Sequence, residues 1–194
     1  AKKRRSEDFY SPGRQAGLRP DRAVIVYCQK IRERFGDIPL IIGGLEASLR
    51  RFAHYDYWND AVRASILADS GADLLSYGMG ENQTIAIARR LDAGEPLGRM
   101  TDIRGTCYFT RQKPRDGMEL PSFETVRQDK RAYAVSCRVE QDEQDAVRGH
   151  MLYQAHGNRY LVQNPPMPPL TTRELDRVYA LPYERYYHPV YEPM

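Results

Sequence analysis

Two glycine clusters are the first places in this sequence where chemistry could occur. Gly43-Gly44 follow the apolar run LII, and Gly78-Met79-Gly80 follow LLSY. Glycine at the exit of a strand permits close backbone approach, and a helix starting there offers free N–H groups to an anion. Glu81 stands at the start of such a helix, where a carboxylate complements the dipole. Neither cluster completes a G-x-G-x-x-G or P-loop pattern, so a ligand edge and a plain turn both stay open. A second constellation comes after the first glycines: Glu46, Arg50, Arg51, His54, Tyr55, Asp56, Tyr57, Trp58, Asn59 and Asp60. A histidine near an aspartate is the minimum for acid–base work. No serine or cysteine is placed to complete a nucleophilic triad. Two other uses of the cluster remain: arginines pairing with aspartates while the aromatics cover a sheet end, or stacking on single-stranded nucleic acid.

The elements that would position these residues are legible as alternating periods. Val24, Cys28, Ile31 and Phe35 recur on one helical face, with Pro20 suited to the first position and Gly36 to the exit. PLIIGG then reads as a short strand buried on both faces. Asn59-Asp60 can cap a helix through Val62, Ile66 and Leu67 that closes near Ser70-Gly71. ADLLSYGMG gives a second strand, and ENQTIAIARRLDAG a third helix ending at Gly94. Helix–strand–helix–strand–helix with short connections is the grammar of a parallel α/β sheet, with both glycine clusters on one edge and ligands beyond the carboxyl ends of the strands.

Beyond Gly94 the pattern changes. GTCYFT reads as one more strand, at the edge, and KPRDGMELP as an exposed loop. Ser122 to Glu140 keeps helical spacing, HMLYQAHGNRYLVQN reads as a hairpin turning at Gly157-Asn158, and Pro165 to Pro169 make an extended connector. TTRELDRVYAL is a short helix capped by Thr171 or Thr172, before an aromatic, Pro-rich tail. The expected division is therefore 1–100, a partial Rossmann-like three-layer α/β unit with parallel strands, and 101–194, an irregular α+β connector.

Composition excludes several classes. Of 194 residues, 41% are hydrophobic and 28% charged, an ordinary globular balance, and no apolar stretch is long enough to span a bilayer. The start, AKKRRSEDFY, has no apolar segment of a signal peptide, and its Ala reads as a cut or processed end. The net charge is +3, less than the four positive charges of Lys2 to Arg5, so the remainder is near neutral and nucleic acid is not the leading partner. Cys28, Cys107 and Cys137 are odd in number and lack a C-x-x-C pair, which points to free, buried thiols in a reducing, cytoplasmic compartment. His54, His150, His156 and His188 are scattered without metal-ligand spacing.

The run from Ile41 to Glu81, IIGGLEASLRRFAHYDYWNDAVRASILADSGADLLSYGMGE, resembles the N-terminal region of YgiQ-type radical SAM proteins. YSPG, GLRPDRA, LPSFETV, QNPP and ALPYER also have counterparts there, so the resemblance covers nearly the whole chain. It implies a parent enzyme whose C-x3-C-x2-C motif holds a [4Fe–4S] cluster that binds S-adenosylmethionine and generates a 5′-deoxyadenosyl radical. That motif is expected beyond Met194, and the three cysteines here cannot replace it. The chain alone then holds no cofactor and is catalytically inert; its partners are the missing radical SAM barrel of the same polypeptide and a substrate that stays unknown. The order strand–GG, strand–G-x-G-E is also similar to the later half of cobalamin-binding domains, but their D-x-H-x-x-G motif is absent, which leaves an analogy of fold. The resemblance suggests that Gly43, Gly44, Glu46, Gly78, Gly80 and Glu81, with Arg50, Arg51, His54 and Asp56, line a substrate or second-cofactor face. The alternative is a self-standing nucleotide- or phosphate-binding Rossmann-like module.

Overall fold

The computed structural model describes residues 6–187; the basic cluster Lys2 to Arg5 and the end from His188 to Met194 lie outside the described residues. Eight strands and seven α-helices are found among them: α1 Ala23–Phe35, β1 Ile41–Ile42, α2 Gly44–Leu49, β2 His54–Asp56, β3 Ala61–Arg63, α3 Ile66–Ser70, β4 Leu74–Ser76, α4 Glu81–Asp92, β5 Thr106–Thr110, β6 Met118–Leu120, α5 Phe123–Gln128, α6 Lys130–Asp142, β7 Leu152–His156, β8 Arg159–Gln163 and α7 Thr172–Tyr179.

Six strands form one sheet in the order β1-β4-β5-β8-β7-β6. The class is α/β, as expected, and its Rossmann-like part is the parallel pair β1–β4 with the helices around it. Alternation along the strands sorts the core into two layers. Leu75, opposite Cys107, faces a cluster with Cys28, Ile66, Phe52 and Leu161, covered by α1, α3 and α6. Leu74 points the other way, onto Ile87 of α4 together with Leu97, Met100 and Ile103. Helices thus lie on both faces of the sheet.

The sheet continues past this unit through three antiparallel junctions, β4–β5, β5–β8 and β8–β7, and ends on the parallel pair β7–β6. GTCYFT is therefore central, not an edge strand. KPRDGMELP is not wholly a loop, because Met118–Leu120 pairs with Leu152–Gln154. β1, by contrast, is an edge, which leaves Ile41 at 41% exposure while Ile42 is buried; a run expected to be covered on both faces is covered on one.

Three helix expectations change. Asn59-Asp60 do not cap a helix but lie in the turn of the β2–β3 hairpin, where the Asp56 carboxylate accepts from the Trp58 N–H at 2.9 Å and the Asp56 carbonyl from the Asn59 N–H at 3.2 Å. Ser65 caps α3 instead, accepting from the Leu67 N–H at 3.2 Å. The spacing from Ser122 to Glu140 is broken at Asp129, whose extended backbone ends α5 and whose carboxylate caps α6 through the Arg131 N–H at 2.7 Å. α1 begins at Ala23, three residues after Pro20, and its Val24, Cys28 and Ile31 pack inward while Phe35 stays exposed. The hairpin β7–β8 turns at Gly157-Asn158 as read from the sequence, with Gly157 at φ 62°.

Candidate ligand-facing edge of the sheet

The ends of β1 and β4 lie side by side because the strands are parallel and in register, Ile41 to Leu74 and Ile42 to Leu75. Gly43 caps α2, and a Cβ there would stand 3.3 Å from the Ser76 carbonyl oxygen, so the approach of the two exits leaves little space for a side chain. Gly44 and Gly78 hold φ of 81° and 71°, which favour glycine. The Gly78 N–H donates to Ser48 Oγ at 3.3 Å, tying α2 to the second turn. Gly80 caps α4 without any side-chain cap, and a Cβ on it would lie 3.4 Å from Ser76 Oγ. Ser76 Oγ and Glu81 Oε2 are both sealed and find no partner among the described residues. The Glu81 carboxylate occupies the start of the helix, where the dipole favours negative charge.

On the other face of β4, Tyr77 and Arg51 build a second piece of this edge. The Tyr77 hydroxyl donates to the Asn164 carbonyl at 2.5 Å, and burial pushes its phenol upward, so it stays neutral. The Arg51 guanidinium lies 5.1 Å from the Tyr77 ring centroid. A cavity of about 390 Å³ opens there, lined by Ser48, Leu49, Arg51, Tyr77, Met79 and Met167 among others. α7 reaches the same region: Asn82 Nδ2, in the first turn of α4, donates to Glu174 Oε1 at 3.2 Å. Leu45 and Leu49, one turn apart on α2, are 82% and 74% exposed, and Met79, which lines the cavity with Leu49, is half exposed.

The remaining candidates go elsewhere. Glu46 and Arg50 pair with each other at 2.8 Å along α2. Asp56 is buried and pairs with Arg22, which anchors the β2–β3 hairpin to the start of α1. Burial works against that charge, but the Arg22 guanidinium and the Trp58 and Asn59 N–H groups together hold the carboxyl below its ordinary range. His54 Nδ1 lies 3.2 Å from the Phe52 carbonyl, and burial lowers its pKa, leaving a neutral ring. His54 and Asp56 are two residues apart on one strand, yet each is engaged by a different partner. Tyr55 donates to Asp60 at 2.6 Å within the hairpin, and its N–H donates to the Tyr133 hydroxyl of α6 at 3.1 Å. Tyr77, Ser48, Ser76 and Met167 do not stand out in the sequence, although Tyr77 adjoins Gly78. Gln163, which holds Arg51, is 112 positions away and carries no local signal.

The iron–sulfur group implied by the resemblance does not fit the residues present. Cys28 and Cys107 are buried, and Cys137, contrary to expectation, is exposed; all three are free. Burial raises all three thiols, that of Cys107 to about 12, so each is protonated as it stands in this fold. His156 is stacked on Phe123 at 5.3 Å and kept neutral by burial, its pKa lowered to about 4, while His150 pairs with Glu143 at 2.9 Å. Among the described residues no three His, Cys, Asp or Glu side chains converge as a ligand set. No described helix is long and apolar enough to cross a membrane.

Comparison with known proteins places this geometry in context. A UPF0313 protein of Clostridium botulinum is 56% identical over 194 residues, which are 99% of this chain and 30% of that protein. A UPF0313 protein of Methanocella arvoryzae is 56% identical over 193 residues, covering 98% of this chain and 32% of its own length. One from Clostridium perfringens is 53% identical over 195 residues, with 99% and 30% covered. This chain thus spans about 30% of the length of these curated relatives. No solved structure matches. The family model described as Radical SAM N-terminal matches residues 1–194, from end to end, and the chain belongs to that family.

Proposed function

We propose that this chain is the N-terminal accessory portion of a longer, YgiQ-type radical SAM iron–sulfur protein, acting in the cytoplasm. The cluster and S-adenosylmethionine belong to the remainder of the polypeptide, and the chain itself contributes no catalytic residue. Its glycine-edged sheet end, with Gly43, Gly44, Gly78 and Gly80 at the turns, shapes a substrate or second-cofactor site facing the radical. The observation that carries this reading is the family match over the whole chain together with relatives about three times as long.

The exposed trio Leu45, Leu49 and Met79 supports it. Apolar side chains gathered beside the glycine turns form a surface suited to burial by another part of the protein. α7 contacts the start of α4 at that edge, which brings the chain beyond the Pro-rich connector back to the same surface. A self-standing phosphate module is less well supported, because Glu81 already places a carboxylate where an anion would sit.

The test compares the 194-residue chain with the full-length polypeptide after anaerobic reconstitution with iron and sulfide. Iron and S-adenosylmethionine cleavage are expected in the full-length protein alone. Hydrogen exchange at residues 43–49 and 78–82 is expected to be slower in the full-length protein than in the chain. A full-length protein without a cluster, or equal exchange at both segments, refutes the reading.

A further inference from the structure

Arg51 is a buried cation that forms no ion pair with any described carboxylate. It is 8% exposed. Its Nε donates to Gln163 Oε1 at 2.5 Å and its Nη1 to the Ser48 carbonyl at 2.6 Å. Nη2 donates to no described residue, and no described carboxylate comes within the 4.0 Å of an ion pair. Glu140, on α6, is the acidic group whose field reaches Arg51; its own carboxyl is raised by burial, and its Oε1 accepts from Ser136 at 3.0 Å. The bond from Arg51 fixes the Gln163 amide oxygen inward, which leaves Gln163 Nε2 buried without a partner. Both groups are donors, and of the two only Gln163 Nε2 is sealed from solvent. A largely buried guanidinium with no ion-pair partner is costly, and one that lies in the wall of an opening can take an acceptor that arrives there.

The opening is the cavity of about 390 Å³ between α2, the Gly78 turn and the Pro-rich connector. Its volume falls in the range of small-molecule sites. Arg51 lies in its wall, and Leu49, Tyr77, Met79, Pro166 and Met167 supply mostly apolar surface around that single charge. Thioether side chains adapt to varied apolar shapes. We propose that this cavity binds a small amphiphilic anion, a carboxylate on an apolar body, with the head on Arg51 and the body along Leu49, Met79 and Met167. The inference deepens the ligand-face reading and names its chemistry; it places the anion on the Tyr77 side, in a lining that does not include Glu81.

The test uses octanoate as the probe and octan-1-ol as its uncharged counterpart. Titration of the arginine-labelled 194-residue chain, followed through Arg Nε–Hε resonances, is expected to move the Arg51 signal saturably. Octanoate should bind at least about tenfold more tightly than octanol, the scale of one charge-assisted hydrogen bond. Arg51→Gln, which removes the charge, should lose most of that discrimination. Met167→Trp, which fills the cavity without touching the Arg51 hydrogen bonds, should abolish binding and keeps the test decisive if the Arg51 variant does not fold. An unmoved Arg51 signal, equal affinity for octanol, or octanoate binding that survives Met167→Trp overturns the proposal. So does a full-length protein in which Arg51 is already engaged by an acidic side chain that octanoate cannot displace. Because iron loading and exchange protection are measured separately, failure of the accessory reading leaves the octanoate result standing, and the reverse.

Discussion

Gly105→Ala should destabilise this chain well beyond the usual cost of a glycine replacement. Gly105 holds φ 72°, and its N–H and carbonyl are both used: it donates to Pro165 at 2.8 Å and accepts from Tyr77 at 2.9 Å. A Cβ there would meet Gln83 Nε2 at 2.2 Å and Cδ at 2.9 Å. Gln83 is fully buried, and that Nε2 donates to the Tyr77 carbonyl at 3.1 Å. Left-handed backbone with a Cβ costs about 1–2 kcal/mol. Expelling the amide leaves a buried carbonyl unpaired, a further cost of about 1–3 kcal/mol. Together they amount to about 2–5 kcal/mol, read by urea unfolding at neutral pH. In a Gln83→Ala background the collision is gone, so Gly105→Ala should cost about 1–2 kcal/mol, the backbone part alone. Equal costs in the two backgrounds, or a single-mutant cost near that of the backbone part, would show that Gln83 moves aside freely and refute the reasoning.

The same geometry sets other expectations. Asp56→Asn should lower the urea midpoint at neutral pH. Since the folded-state pKa of Asp56 lies below its ordinary 3.8, its stabilising contribution is complete above that value and fades as pH falls through the folded pKa, so the gap between variant and parent should close in acid. In native protein a maleimide should label Cys137 first, while Cys107, fully buried and with its thiol pushed up to about 12, should react only on unfolding; comparable native rates would contradict this packing. Thr171→Ala removes the capping box with Glu174 and should fray α7 by about 0.5–2 kcal/mol locally. Because α7 buries no residue, hydrogen exchange at 172–179 should rise while the global unfolding midpoint stays put.

Much of this protein is settled by local sequence, because local physics decides it. The period of Val24, Cys28 and Ile31 suffices for α1, ENQTIAIARRLDAG for α4, and Gly157-Asn158 for the β7–β8 turn, since each is governed by neighbours within a few residues. The glycines at 43–44 and 78–80 likewise mark strand exits through the backbone freedom those turns use. The family too is visible in the run from Ile41 to Glu81. The features that lie beyond the sequence are decided by competition or at long range. Asp129 splits a helical spacing because its carboxylate is better used as a cap. His54–Asp56 and Ala61–Arg63 become a hairpin because Asp56 finds Arg22, 34 positions earlier. GTCYFT becomes central because β8 pairs with it from more than fifty positions away, Cys107 with Gln163. The same distance hides the role of Arg51. In the sequence it is one of two adjacent arginines near a histidine; only the folded sheet separates them, giving Arg50 a partner one helical turn back and leaving Arg51 buried against Gln163 and Tyr77 at the mouth of a cavity. Charge spacing along a chain cannot say which cation will lose its water, because that depends on which strands close over it.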